Sequence, residues 1–168
     1  MPSPEASTAS PADGGCLCGA IRYRVTGVPL AQSRCHCRTC RLAVGSAGVA
    51  WVIVERKDFT MLIGTLSRFT SSPTVIRTFC PVCGTSIGYE PSDAPSQIEI
   101  TTATFDYPER FPPRREVWVS ERVSWHALDP SLMPLPNGRL NGKVTCSLTS
   151  RSPDRSPAAL VRRPLAAR

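Results

Sequence analysis

Cysteine supplies the chemistry of this chain. Seven of its eight cysteines fall into three clusters, Cys16-x-Cys18, Cys35-x-Cys37-x-x-Cys40 and Cys80-x-x-Cys83. Spacings of one or two residues let one turn aim two sulfurs at a single ion about 2.3 Å away, the distance zinc takes to thiolate. Cys80-Pro81-Val82-Cys83-Gly84 is such a turn, with Gly84 free to make the tight bend that follows. Cys16-Leu17-Cys18-Gly19 offers a second pair, and a sheet that brought the two pairs together would complete a four-sulfur site. That site would fasten the first strand to the middle of the domain and contribute to its folding.

Cys35-His36-Cys37-Arg38-Thr39-Cys40 supplies three thiolates from six consecutive residues, which leaves one coordination position for water or an incoming ligand. Seven thiolates thus divide into a closed set of four, structural in character, and an open set of three, where chemistry is expected. The expected cofactor is zinc, two ions per chain, because an open zinc favours the anion of a bound thiol or water. A substrate thiolate held there can add to an electrophilic carbonyl or leave from a thioacetal. Three other readings of the cysteines remain: all seven serve folding with a histidine or solvent as the eighth ligand, the clusters hold iron and sulfide, or the thiols are disulfide-bonded.

Other polar residues near the clusters are weaker candidates. His36 stands between two ligands and can ligate, relay a proton or pack. His126, the only other histidine, follows Trp125 and is either a substrate contact or an ordinary partly exposed side chain. Arg34, Arg38 and Arg41 flank the three-cysteine run and either bind a carboxylate or balance the thiolate charge. Of these, Arg38, Arg41 and His126 are the candidate substrate-binding residues. Cys146 stands outside every cluster and receives no ligand role.

The elements that must position these residues read as short strands. Ile21-Arg22-Tyr23-Arg24-Val25 alternates apolar and basic residues with period two, so one face is buried and one is wet. Further strands are expected at Gly48 to Val54, Phe59 to Ile63, Ser67 to Thr70, Thr74 to Phe79, Ser86 to Glu90, Ile98 to Thr102 and Glu116 to Val119. Gly, Pro or Asp punctuates nearly every gap. Arg38 to Val44 and Tyr107 to Phe111 each suit about one helical turn. The fold class is mainly β, with the cysteine clusters on turns between strands.

At 168 residues the chain suits one domain. Its formal charge of +7 is unevenly placed: residues 131–168 hold seven Lys or Arg against one Asp, and residues 1–130 hold thirteen against twelve acids. The globular part is nearly neutral, which argues against nucleic acid as its main partner. The basic segment, rich in Pro, Ser and Arg, is expected to be a disordered tail that is solvated or touches nucleic acid or an acidic surface. Residues 1–15 are mostly Ser, Ala, Pro and Gly with no apolar run, so neither a secretory signal nor a membrane span is expected and the address is cytoplasmic.

The order and spacing of Gly15-Cys16-Leu17-Cys18-Gly19-Ala20, Cys35-His36-Cys37-Arg38-Thr39-Cys40 and Phe79-Cys80-Pro81-Val82-Cys83-Gly84 resemble the glutathione-dependent formaldehyde-activating enzyme family, also called the centromere protein V family. Gly64-Thr65-Leu66, Asp106-Tyr107-Pro108, Trp125-His126-Ala127-Leu128-Asp129 and Leu135-Pro136 extend the likeness over residues 14–136. The resemblance implies an Mss4-like (β-tent) fold of short antiparallel strands. It also implies Cys16, Cys18, Cys80 and Cys83 as structural zinc ligands and Cys35, Cys37 and Cys40 as catalytic ones. The activity it implies is carbon–sulfur lyase chemistry, written as formation of S-(hydroxymethyl)glutathione from glutathione and formaldehyde, with a small thiol as partner. The expected domains are a flexible N-terminus at 1–13, the zinc domain at 14–136 and the tail at 137–168. A second expectation is a non-enzymatic zinc module whose basic tail contacts nucleic acid or a protein partner.

Overall fold

The computed structural model describes residues 10–138. Eleven strands and one short helix follow in the order β1 (Ala12–Gly15), β2 (Arg22–Val25), β3 (Ala31–Cys35), α1 (Arg38–Val44), β4 (Val49–Glu55), β5 (Phe59–Ile63), β6 (Ser67–Ser72), β7 (Val75–Phe79), β8 (Ser86–Pro91), β9 (Gln97–Thr101), β10 (Arg115–Val117) and β11 (Met133–Leu135). They build a three-stranded sheet ordered β1-β2-β5 and an eight-stranded sheet ordered β11-β10-β3-β4-β9-β8-β7-β6. Pairing is antiparallel except that β10 runs parallel to both β3 and β11. The mainly β class expected from the sequence is the class observed.

Period two explains how one sheet serves two cores. In β4, Val52 and Val54 enter a cluster with Tyr23 and Val25 of the small sheet, while Trp51 and Ile53 enter a second cluster on the opposite face. Ile87 and Tyr89 of β8, two residues apart, also enter opposite clusters, and there the β7–β8 register shifts between Thr78 and Phe79; Ile98 and Ile100 of β9 join the first cluster. The second cluster contains Cys35, Cys37 and Cys40. Both faces of the large sheet are therefore covered, and the three-cysteine run is part of its core.

Several boundaries differ from the sequence expectation. Ala12 and Asp13, expected within a flexible N-terminus, instead pair with Val25 and Arg24 in the β1–β2 ladder. Ala12 is 5% exposed, and Arg24 clasps the Asp13 carboxylate at 2.7 and 2.8 Å. Tertiary partners order residues whose composition reads as linker. β3 was missed because Ala31-Gln32-Ser33-Arg34-Cys35 has no apolar alternation, yet it lies between β4 and β10, so main-chain pairing decides its state. β1 and β11 are similarly short and polar or Pro-containing.

The expected helical stretch Arg38–Val44 forms as a seven-residue helix. Cys37 caps its start by accepting from the Cys40 N–H, and Gly45, with φ 72°, ends it in the left-handed region open to glycine. The 107–111 stretch contains a single 3-10 turn, Pro108–Arg110. The cysteines are not all on strand-to-strand turns. Cys16 and Cys18 join β1 to β2 and Cys80 and Cys83 join β7 to β8, but Cys35 ends a strand and Cys40 lies within α1. The expected tail falls almost wholly outside the described residues, as does Cys146.

Candidate metal centre

The four cysteines of the two outer clusters converge: Cys16, Cys18, Cys80 and Cys83 bring their sulfurs within 4.8 Å of one another. Cys16 and Cys18 sulfurs are 3.5 Å apart and Cys18 and Cys80 sulfurs 3.8 Å. A tetrahedral zinc with thiolates at about 2.3 Å requires sulfurs about 3.8 Å apart, and these two spacings come close to that. Backbone N–H groups support it: Ile21 donates to the Cys16 sulfur, and Val82 and Cys83 donate to that of Cys80. The thiols hold protons unequally. The Thr85 hydroxyl and N–H draw Cys83 down to about 5. For Cys18 the Ala20 N–H lowers the pKa, but hydrogen bonding with Cys16, burial and hydrogen bonding with Cys83 and Cys80 together outweigh it and the thiol is pushed up to about 12. Cys18 is also the exposed member of the set.

Cys35, Cys37 and Cys40 form the second group, with their sulfurs again within 4.8 Å of one another. All three are buried, at 3%, 0% and 2% exposure, whereas in the first group only Cys80 is. No His, Asp or Glu among the described residues joins them within that distance. Three soft thiols with no fourth side-chain donor suit an ion that keeps one position open. All seven described cysteines are free thiols, so no disulfide competes for them.

His36 does not belong to the ligand group. Its Nε2 lies 2.6 Å from Glu116 Oε2, both side chains having no exposed surface. Its N–H donates to the Val117 carbonyl at 3.0 Å, and its own carbonyl accepts from Arg41 Nε at 3.0 Å. The backbone between Cys35 and Cys37 is therefore held from three directions. Arg41 spends its guanidinium on this carbonyl and on that of Glu121, so it is committed to the fold rather than to a substrate. Arg34 pairs with Glu116 at 3.0 Å and stands 3.9 Å from Asp129. His126 packs behind His36 with ring centroids 5.2 Å apart. Burial, reinforced by the charges of His36 and Arg34, lowers its pKa.

Two spaces adjoin the three-cysteine group. A groove of about 670 Å³ between α1 and the β6–β7 hairpin is lined by Arg38, Arg68 and Arg77 with Leu42, Phe69 and Phe79, and no acidic side chain lines it. Arg38 forms no ion pair among the described residues, whereas Arg68 is bound to Glu90. Arg77 connects groove and cluster, since its Nη2 donates to the Cys40 sulfur at 3.6 Å while its guanidinium lies over the Tyr89 ring. The second space is a cavity of about 30 Å³ lined by Cys35, Cys40, Glu99, Trp51 and Trp118. The structure thus brings Arg38 to the groove and leaves Arg41 and His126 away from both spaces.

Sequence reasoning missed Glu116, Arg77 and Glu99. Alternation assigns Glu99 to a solvent face, since it stands between Ile98 and Ile100. The face is covered in the folded chain, so an acid placed by period two to meet water meets the cysteine core instead.

Comparison with known proteins bears on this centre. The profile of the glutathione-dependent formaldehyde-activating enzyme family matches residues 11–121, which include all seven clustered cysteines. A Schizosaccharomyces pombe protein described as an uncharacterized lyase is 31% identical over 75 residues, 45% of this chain and 54% of that protein. The chain thus matches about half the length of that curated relative. A crystal structure of a Rhodobacter sphaeroides protein superposes with a TM-score of 0.49 at 18% identity, covering 73% of this chain and 98% of the other. No helix among the described residues is long and apolar enough to cross a membrane. With the family profile spanning 111 positions of 168, and each of the seven clustered cysteines inside it, the chain belongs to the glutathione-dependent formaldehyde-activating enzyme family.

Proposed function

We propose that the chain is a zinc-dependent carbon–sulfur lyase that makes or breaks the adduct of a small thiol, glutathione or a relative, with formaldehyde. The observation that carries this reading is the division of the thiols: four converge into a closed set, and three converge without a fourth donor. Cys16, Cys18, Cys80 and Cys83 would hold a structural zinc. Cys35, Cys37 and Cys40 would hold the second, which when bound favours thiolate over thiol at neutral pH. Family membership and the name of the fission-yeast relative support the reaction class.

The remaining work falls to the chain's own residues. Glu116, Val117 and Arg41 hold His36 and so fix the ligands on either side of it. Arg77 donates to the Cys40 sulfur and offsets part of the negative charge of three thiolates. The groove has the volume for a tripeptide-sized thiol, and Arg38 at its rim offers a guanidinium for a substrate carboxylate. A cytoplasmic location, where glutathione is abundant and thiols stay reduced, suits both the substrate and the free cysteines.

Metal content and zinc-edge absorption of the purified chain test the reading. Two zinc ions per chain are expected, one of which gains a sulfur neighbour when glutathione is added. Two zincs that ignore glutathione would sink the thiol-binding role and leave a structural zinc module.

A further inference from the structure

Three glutamates are buried in the large sheet, and two have obvious tasks. Glu90 is held by Arg56 and Arg68, and Glu116 by Arg34 and His36. Glu99 is 9% exposed and stands in no salt bridge among the described residues. Its side chain lines the cavity that also contains Cys35 and Cys40. That space, about 30 Å³, has room for a water or a one-carbon carbonyl and excludes a tripeptide, whereas the groove of about 670 Å³ accommodates one. The two spaces differ in size as the two reactants of the proposed adduct do.

We propose that Glu99 is the proton-transfer group of the three-cysteine site, giving its carboxyl proton to the oxygen of a one-carbon aldehyde in the small cavity as the carbon–sulfur bond forms. This rests on the lyase reading above. In the forming direction the thiolate sulfur bonds to the carbonyl carbon, the carbonyl π pair moves to oxygen, and the Glu99 proton follows it. The carboxylate is reset by the proton that the next thiol releases on becoming a thiolate. In the breaking direction Glu99 takes the hydroxyl proton back as the carbon–sulfur bond opens. No electrons are gained or lost.

The surroundings suit an acid that is neutral before the step. Burial pushes Glu99 up to about 8; the positive charge of Arg77 opposes this, while Cys37 and Asp93 add to it. Arg115, at the cavity wall, is the other cation nearby. A carboxylic acid held neutral at pH 7 is a proton donor in the range where general acid catalysis works well. Trp118 shapes the same cavity from a left-handed backbone, φ 58°, which a bulky side chain adopts only when its surroundings enforce it.

The decisive comparison is Glu99→Gln against the unaltered, zinc-loaded full chain. Glutamine keeps the shape but cannot deliver a proton. The expected result is a fall in turnover of about 100-fold or more, with zinc per chain and the glutathione-induced change at the zinc edge both retained. A loss of less than about tenfold with both zincs in place would overturn the proposal. If the variant fails to hold zinc, Glu99→Asp replaces it, keeping the proton but shortening its reach; full turnover there overturns the idea and a marked loss supports it. Infrared difference spectra between the unaltered chain and E99Q give a readout free of turnover: a protonated carboxyl at pH 7 is expected, and an ionised one rules out proton donation. If the unaltered chain binds glutathione but turns over no aldehyde, the lyase reading itself fails and takes this role with it.

Discussion

Glu116 is the charge on which the ligand loop depends. Its carboxylate has no exposed surface and meets Arg34 at 3.0 Å, His36 at 2.6 Å and the Asp129 N–H at 3.3 Å. Burying a carboxylate is costly, and it is tolerated here because every direction supplies a donor. Glu116→Gln preserves the volume but leaves Arg34 facing a neutral amide. A destabilisation of about 3 kcal/mol is expected in urea unfolding at fixed zinc, the low end for a broken buried pair. The low end applies because the Asp129 carboxylate remains 3.9 Å from Arg34. An unchanged midpoint would mean that desolvation of Glu116 had cancelled its pairing. Cys40 shows the same coupling from the other side, since its sulfur is both a candidate ligand and the acceptor for Arg77.

Gly64, between β5 and β6, is where elements constrain one another most closely. It adopts φ 78°, and a Cβ there would stand 2.2 Å from the Ala20 carbonyl oxygen. Left-handed backbone costs a non-glycine residue about 1–2 kcal/mol before any clash is counted. Because the Ala20 carbonyl is main chain, it cannot swing aside as a long side chain would. Gly64→Ala is therefore expected to lower stability by more than about 2 kcal/mol, read as a drop in melting temperature. A variant that melts with the parent would show that the β1–β2 turn yields. The large sheet makes the complementary point: β3 has few apolar residues, and its place is fixed by ladders to β4 and β10 on either side.

Across the whole molecule the four-cysteine set joins the β1–β2 turn of the small sheet to the β7–β8 turn of the large one. The two sheets also share a hydrophobic core, the Arg22–Asp106 ion pair and the Gly14–Phe105 bridge, and between the two turns themselves the Leu17 N–H donates to the Thr85 hydroxyl at 3.2 Å. A metal in that set thus closes a loop of more than sixty residues and adds its binding free energy to folding. Cys83→Ser is expected to lose one zinc equivalent and, with it, several kcal/mol of stability. Cys40→Ser, a near-isosteric change in a core that already packs around it, is expected to lose the other equivalent while remaining folded. Metal analysis beside circular dichroism melts checks both. Equal unfolding by the two substitutions would erase the distinction between a closed and an open site.

Local spacing was enough for much of this. A C-x-C or C-x-x-C turn determines within a few residues where its sulfurs can point, which is why the cysteine groups were legible. Alternation in Arg22–Val25 and punctuation by Gly and Pro likewise located most strands to within a residue or two. Arg38–Val44 was readable as about one helical turn, and the structure extends it to seven residues ended by Gly45. Tertiary structure alone decided which cysteine pairs meet, because the contact between residues 16–18 and 80–83 depends on two sheets docking rather than on either turn. It also decided that Glu99 and Glu116 are buried. A residue's face follows from period two, but whether that face meets water or another layer depends on chain far away in sequence. The sequence by itself therefore determined the cysteine groups and the strand class; the fold decided which acids and arginines surround them.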